Sequence, residues 1–262
     1  MLFYAAFKES RPQGSIQERK QKLAPILENK NKPKSIPPTI QAVNQRNSQI
    51  QNFACEDLEI KIWQDGNKIK LNGKMYFEKP NNFRLEISSI FGKELDIGSN
   101  DKVFWYWSKR DREQGLHWAT YENFQKTRLK APFSPMFMRS SLGLEVIESE
   151  KAIRIAENEK DIMLVFSGAS GSGNLINKSV FVNKFTNNID AFLLTSVDGK
   201  SIAACEIQEY VNGLPSRLLY TWYDENKLLG IKFNKAKTNI AIKASTWALP
   251  NYTPKINMAD RF

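Results

Sequence analysis

After Cys55 apolar residues recur at every second position. Leu58, Ile60 and Ile62 alternate with Glu59 and Lys61, the two-residue period of a strand with one buried face. Asp65-Gly66-Asn67 supplies the turn of a first hairpin. Ile69, Leu71, Met75 and Phe77 then share a face opposite Lys68, Lys70, Lys74 and Glu78, until Pro80 interrupts the ladder. Phe83, Leu85 and Ile87 alternate with Arg84, Glu86 and Ser88, and Leu95 and Ile97 continue the pattern past Gly92. The first half of the chain thus predicts four strands in meander order.

Val103 to Trp107 is apolar at every position, so this central strand must be covered on both faces, or one face must meet a ligand. Ser134-Pro135 opens a short helix that ends at Gly143, with a capping residue, Pro in the first turn and Gly past the end. Its Met136, Phe137 and Met138 are consecutive and cannot all point inward. Alternation resumes in Ala152 to Ile155, Ile162 to Phe166, Val180 to Phe185, Ala191 to Val197, Ile202 to Tyr210, Leu218 to Tyr223, Leu228 to Phe233 and Ile240 to Ala244. Asp198-Gly199 and Asn212-Gly213 are turn signals between strands. The expectation is a mainly β (α+β) fold: one large antiparallel sheet of about 10 to 12 strands that twists and curls into a half-barrel, with two or three short helices as a lid. No repeat of fixed period points to a propeller.

The N-terminal region has a different texture. From Lys8 to Pro38 the chain is rich in Lys, Gln, Asn and Pro with no sustained period, which predicts a flexible basic arm or linker over residues 1–36 holding at most a short helix. The half-barrel domain is then 37–262. It opens with an amphipathic helix on which Ile40, Val43, Ile50 and Phe53 share one face, with Thr39 as its cap.

The net charge of +10 sharpens this division, because residues 1–50 carry +6 of it and the rest of the 262-residue chain only +4. Such an arm is a solvated tether or a contact to an anionic surface. Met1 to Phe7 is apolar but too short for a signal core, and reads as the stub of a trimmed export signal or anchor. No run of about 18 uncharged apolar residues predicts a spanning helix. Two cysteines, Cys55 and Cys205, are too few for a disulfide scaffold or a four-cysteine zinc site.

Catalytic chemistry finds little support. His117 is the sole histidine, without neighbouring Cys or a carboxylate cluster, so a triad or a multi-histidine metal site is hard to build. Gly168, Gly171 and Gly173 follow an apolar strand as in a phosphate cradle. However, no Lys-Ser/Thr pair follows, and a strand begins where a phosphate-binding helix should. The pairs Glu56-Asp57 and Asp224-Glu225 sit at strand ends and turns, where adjacent side chains diverge. Phe104, Trp105, Tyr106 and Trp107 could stack bases, but their strand has charges only at its ends, Lys102 and Lys109-Arg110, so nucleic acid is not an expected partner. No cofactor or metal is expected.

The run GKMYFEKPNNFRLEISSIFGKELDIGSNDKVFWYW, from Gly73 to Trp107, resembles the LolA/LolB lipoprotein-localisation family of bacterial envelopes. It shows that family's order of a strand, a basic residue with Pro-Asn, an Arg-containing strand, a short gap and a turn into an aromatic strand. The helix before it and the Pro-containing helix after it fall in the same order, while beyond Glu145 only the β-rich character agrees.

The resemblance implies an open barrel lidded by helices, whose apolar interior receives acyl chains of lipoproteins or lipids, without catalysis, in the periplasm or at an envelope membrane. On that reading the cavity residues are Leu71, Met75, Phe77, Leu85, Ile87, Trp105 and Trp107, with Met136, Phe137 and Met138 from the lid. Lys79 occupies the position of a latch residue bonding the lid, although the soluble carriers use Arg there. Ile90 and Phe91 match a loop that anchored receptors project into the bilayer. The chain departs from the receptors in lacking a lipidation cysteine near a signal, and from the soluble carriers in its long basic arm. A carrier, an anchored acceptor and a structural or adaptor subunit of an envelope assembly using the same shell all stay open.

Overall fold

The computed structural model describes residues 16–27, 36–64, 66–129 and 134–261. Met1 to Phe7 and the remainder of 1–15, residues 28–35 of the arm, Asp65 of the first turn, 130–133 and Phe262 lie outside them.

Six strands follow one another in the first half: β1 (Asn52–Gln64), β2 (Asn67–Glu78), β3 (Asn82–Ser89), β4 (Gly92–Ser99), β5 (Val103–Ser108) and β6 (Leu116–Thr120). Seven more form the second half: β7 (Arg154–Glu157), β8 (Asp161–Ala169), β9 (Leu175–Asn183), β10 (Asn188–Ser196), β11 (Ser201–Val211), β12 (Leu214–Trp222) and β13 (Lys227–Asn234). Each half is an antiparallel meander, and β1 pairs with β13 to fuse them, Ile60 opposite Ile231. Two short C-terminal strands, β14 (Lys237–Thr238) and β15 (Lys255–Asn257), add to β1 and, in parallel, to β6. The product is one open sheet of fifteen strands, three or more beyond the number expected.

Alternation explains which face is buried. Leu58, Ile60, Met75, Phe77, Phe83, Leu85, Ile87 and Ile97 all point to the concave side and join inward residues of β8 to β13 in one continuous core. Two helices lie on that side, α2 (Pro38–Ser48) and α3 (Pro135–Ser140). α2 buries Ile40 and Val43. Side-chain amides tie it to the segment after α3: Asn47 donates to the carbonyls of Gly143 and Glu145, both at 2.9 Å, and Asn44 exchanges two bonds with the Ile147 backbone. Arg46 donates to Asn187 and Asn188 in the β9–β10 turn. In an antiparallel meander alternate turns lie at the same end, so α2 closes the end that carries the β2–β3, β9–β10 and β11–β12 turns.

The expected helix forms over its N-terminal part only. α2 starts with Pro38 in its first turn, without a side-chain cap from Thr39, and stops at Ser48. Phe53 sits in β1 opposite Phe77; its helical spacing from Ile50 is coincidental, since a buried strand residue satisfies the same pattern. The other helix begins as read, with Ser134 accepting a bond from the Met136 amide, but it ends at Ser140 and Gly143 follows at φ +69°.

Within the arm expected to be flexible, Ile16–Leu27 forms a third helix, α1, docked on the convex face. Ile16 and Leu23, seven residues apart and so on one face, pack on Met163, Val165, Phe181 and Leu193. Between them Arg19 bonds both oxygens of Asp161, at 2.5 and 3.2 Å, and lies 3.4 Å from Asp190. Among the described side chains Ile16, Leu23 and the buried Arg19–Asp161 pair anchor this helix, with Gln17 bonding Ser201 and Lys20 the Gly199 carbonyl, a signal too sparse to emerge from polar surroundings.

Ile240 to Ala244 is not a strand. From Ile240 the chain runs as an irregular strap over the convex face of β2 to β6. Asn52 stands in for a ladder partner by bonding both the N–H and the C=O of Ile240. Arg84 donates to the Thr246 carbonyl, Tyr252 stacks on Trp107 with ring centroids 4.5 Å apart, and β15 then reaches the edge strand β6.

Candidate functional site

The concave face holds two clefts, and strand register decides their walls. In the first wing one row of directly opposed residues runs Met75, Leu85, Ile97, Tyr106, His117 across β2 to β6. Toward the end away from α2 the next inward residues, Leu71, Ile69, Ile62, Ile87 and Leu95, frame a cleft of about 640 Å³ with Trp222 and Leu229 from the second wing. Met138 of α3, Leu129 and Met258 complete its wall. This volume lies in the range of small-molecule sites, roughly 300–1,000 Å³.

The ionisable side chains Glu94, Arg110, Asp111, His117, Arg128 and Lys227 stand along this cleft. Arg110 binds Glu94 at 3.2 Å, and the Ser89 hydroxyl together with Arg110 holds the Glu94 carboxyl below its usual range. His117 is buried, with Nε2 3.1 Å from the Glu113 carbonyl and 3.9 Å from Asp111.

A second cleft of about 420 Å³ lies in the other wing, walled by Phe166, Ile176, Val180, Phe192 and Leu194 and by Met136 and Phe137 of α3. α3 thus separates the two, giving Met138 to one and its neighbours to the other. Phe137 packs edge-on to Tyr220, whose hydroxyl is 2.7 Å from Ser141 Oγ, so the helix is pinned to the middle of the core.

Both clefts face the end opposite α2, where the β3–β4, β8–β9, β10–β11 and β12–β13 turns lie. Ile90 and Phe91 stand at the β3–β4 tip, 92 % and 79 % exposed. Val197 and Leu175 on neighbouring turns are exposed as well.

The residues singled out by sequence do not share one place. Leu71, Leu85, Ile87 and Met138 line the larger cleft, and Met136 and Phe137 the smaller. Met75 and Phe77 are fully buried deeper in the core and line neither. Lys79 donates to the Asn47 carbonyl at the end of α2, 2.6 Å away, so it clasps that helix and not α3, and burial lowers its pKa.

Trp105 and Trp107 are on the wrong face for a cavity. Trp105 opposes Gly98 and Trp107 opposes Asp96, both convex, while Tyr106 between them turns inward. A Cβ at Gly98 would stand 2.3 Å from the Trp105 ring, so the bare glycine is what lets the indole lie against the sheet. Nothing in an all-apolar strand distinguishes its two sides. Ile62, Ile69, Leu95, Ile97 and Tyr106, all inward by register, complete a wall that the resemblance did not name.

No family model matches the sequence, and no curated protein matches it. Among the described residues no helix is long and apolar enough to cross a membrane. Solved structures do match. A LolA superfamily protein from Nitrosomonas europaea aligns over 81% of this chain and 98% of its own, with a TM-score of 0.53 at 10% identity. A domain described as an outer membrane lipoprotein-sorting protein, from Vibrio parahaemolyticus, aligns over 79% and 95% with a TM-score of 0.51 at 9% identity. A DUF1329 family protein from Desulfovibrio piger aligns over 80% and 94% with a TM-score of 0.50 at 11% identity. The chain therefore has the fold of the LolA superfamily proteins, an open, mostly antiparallel half-barrel with helices against its concave face.

Proposed function

We propose that this protein binds and hands on the acyl chains of lipidated proteins or lipids in a bacterial cell envelope, as a non-enzymatic carrier or acceptor. The observation that carries this reading is the larger cleft: about 640 Å³ with a mostly apolar wall, its Glu94 carboxylate paired with Arg110. An acyl chain gains about 0.8 kcal/mol for each methylene it removes from water. Such a wall holds a chain without directed bonds, and discriminates poorly among chains of similar length.

The two ends of the half-barrel suit transfer. α2, clasped by Lys79 and Arg46, closes one end. The clefts face the other, where Ile90 and Phe91 present exposed apolar surface for contact with a membrane. The neighbours' descriptions as LolA superfamily and lipoprotein-sorting proteins support an envelope location, periplasmic or membrane-associated, with the basic arm as a further contact to anionic lipid.

The test is binding of a fluorescent fatty acyl probe to the full chain and to Leu71→Trp, which fills the larger cleft from its wall. Saturable binding that loses a site or weakens several-fold with the indole, with the melting temperature retained, supports the reading. Unchanged stoichiometry and affinity remove the cleft from it.

A further inference from the structure

In the smaller cleft a single lysine interrupts an otherwise apolar row. The inward residues of β9 are Ile176, Lys178, Val180 and Val182. Register places Lys178 directly between Phe166 of β8 and Leu194 of β10. Its Nζ lies 5.8 Å from the Phe166 ring centroid. Among the described residues it has no hydrogen-bond or ion-pair partner.

The other charges around this cleft are already matched. Arg139 on α3 pairs with Glu145 at 2.8 Å, and Glu148 pairs with Lys151 at 2.8 Å. One uncompensated positive charge is left, one strand step inside the mouth formed by Ser167 and Gly168. Burial lowers the pKa of Lys178, opposed by the more distant Glu145 and Glu148. A cation held against apolar walls in this way loses hydration that an incoming anion can replace.

We propose that the smaller cleft takes a single-chain anionic amphiphile, its carboxylate or phosphate head on the Lys178 ammonium and its chain directed past Val180 and Phe192 toward α3. This rests on the acyl-binding reading and adds to it a preference for anionic heads at the smaller cleft. Lysine gives a point charge without the fork that would select a planar head, so both anionic heads fit and a neutral one does not.

The experiment measures displacement of a fluorescent fatty acid from the full chain by palmitate, hexadecyl phosphate and hexadecanol, for wild type, Lys178→Met and Lys178→Arg. The expected result is that both anions compete at least roughly tenfold better than the alcohol on wild type and on Lys178→Arg. On Lys178→Met the anions lose that advantage, while the alcohol competes as well as before or better. Methionine keeps the length of the side chain without its charge, and the melting temperature should hold or rise.

Preference for palmitate alone assigns the head as a carboxylate, and for hexadecyl phosphate alone as a phosphate; both uphold the role of Lys178. Equal competition by all three on wild type, or anion preference surviving in Lys178→Met, overturns the inference while leaving acyl binding standing. Failure of the probe and of all three competitors to bind overturns both.

Discussion

The indole Nε1 of Trp105 donates to the Asp96 carboxylate at 3.2 Å on the convex face, turned away from both clefts. Asp96 is fully buried there and also accepts from Arg84 at 2.8 Å, Lys93 at 3.2 Å and the Tyr252 hydroxyl at 3.2 Å. Lys93 additionally meets Glu86. The strap carrying Tyr252 covers this network, which is how an aromatic strand is buried on both sides.

Removing the carboxylate while leaving its donors should be costly. Asp96→Ala is expected to destabilise the protein by about 3–5 kcal/mol, as for other buried charges that lose their partner. Urea denaturation would show it as a lowered midpoint. A loss below about 1 kcal/mol, the scale of an exposed pair, would mean that the strap contributes little to stability.

A second prediction concerns α1 and pH. Burial raises the Asp190 carboxyl above its ordinary 3.8, with Arg19 opposing. The folded state therefore binds more protons than the unfolded state between the ordinary and the raised value, so stability falls as pH rises through that window. Asp190→Asn should remove this component and flatten the stability profile just above the ordinary carboxylate value relative to wild type. Identical slopes in the two proteins would contradict the desolvation of Asp190 beneath the helix.

Much of the first wing was legible because its convex face is charged. Lys61, Lys70, Arg84 and Glu86 mark the outer side of β1 to β3, so Leu71, Leu85 and Ile87 could be assigned inward by period alone. β5 offers no such contrast, since the strap gives its outer side an apolar cover too. The period alone therefore does not tell Tyr106, which faces inward, from Trp105 and Trp107, which do not. Lys178 was invisible for the opposite reason: a charged residue in a strand reads as an outer one unless the register of both neighbours is known.

A third prediction separates membrane contact from cargo binding. Ile90→Ser with Phe91→Ser removes exposed apolar surface at a hairpin tip that touches neither cleft wall. Sedimentation with phosphatidylglycerol-containing vesicles should drop several-fold, while acyl-probe binding in solution stays as in wild type. Undiminished sedimentation would assign membrane contact, if any, to another surface.

The central claim is that an acyl chain lies against the inward wall of β2 to β5. Photolysis of a diazirine-bearing fatty acid with the full chain, followed by peptide mapping, tests this directly. Covalent label is expected on peptides containing Leu71, Ile87, Leu95 or Tyr106, competed away by unlabelled palmitate. Label confined to the convex strap around Trp247 and Tyr252, or no competable label at all, would contradict it.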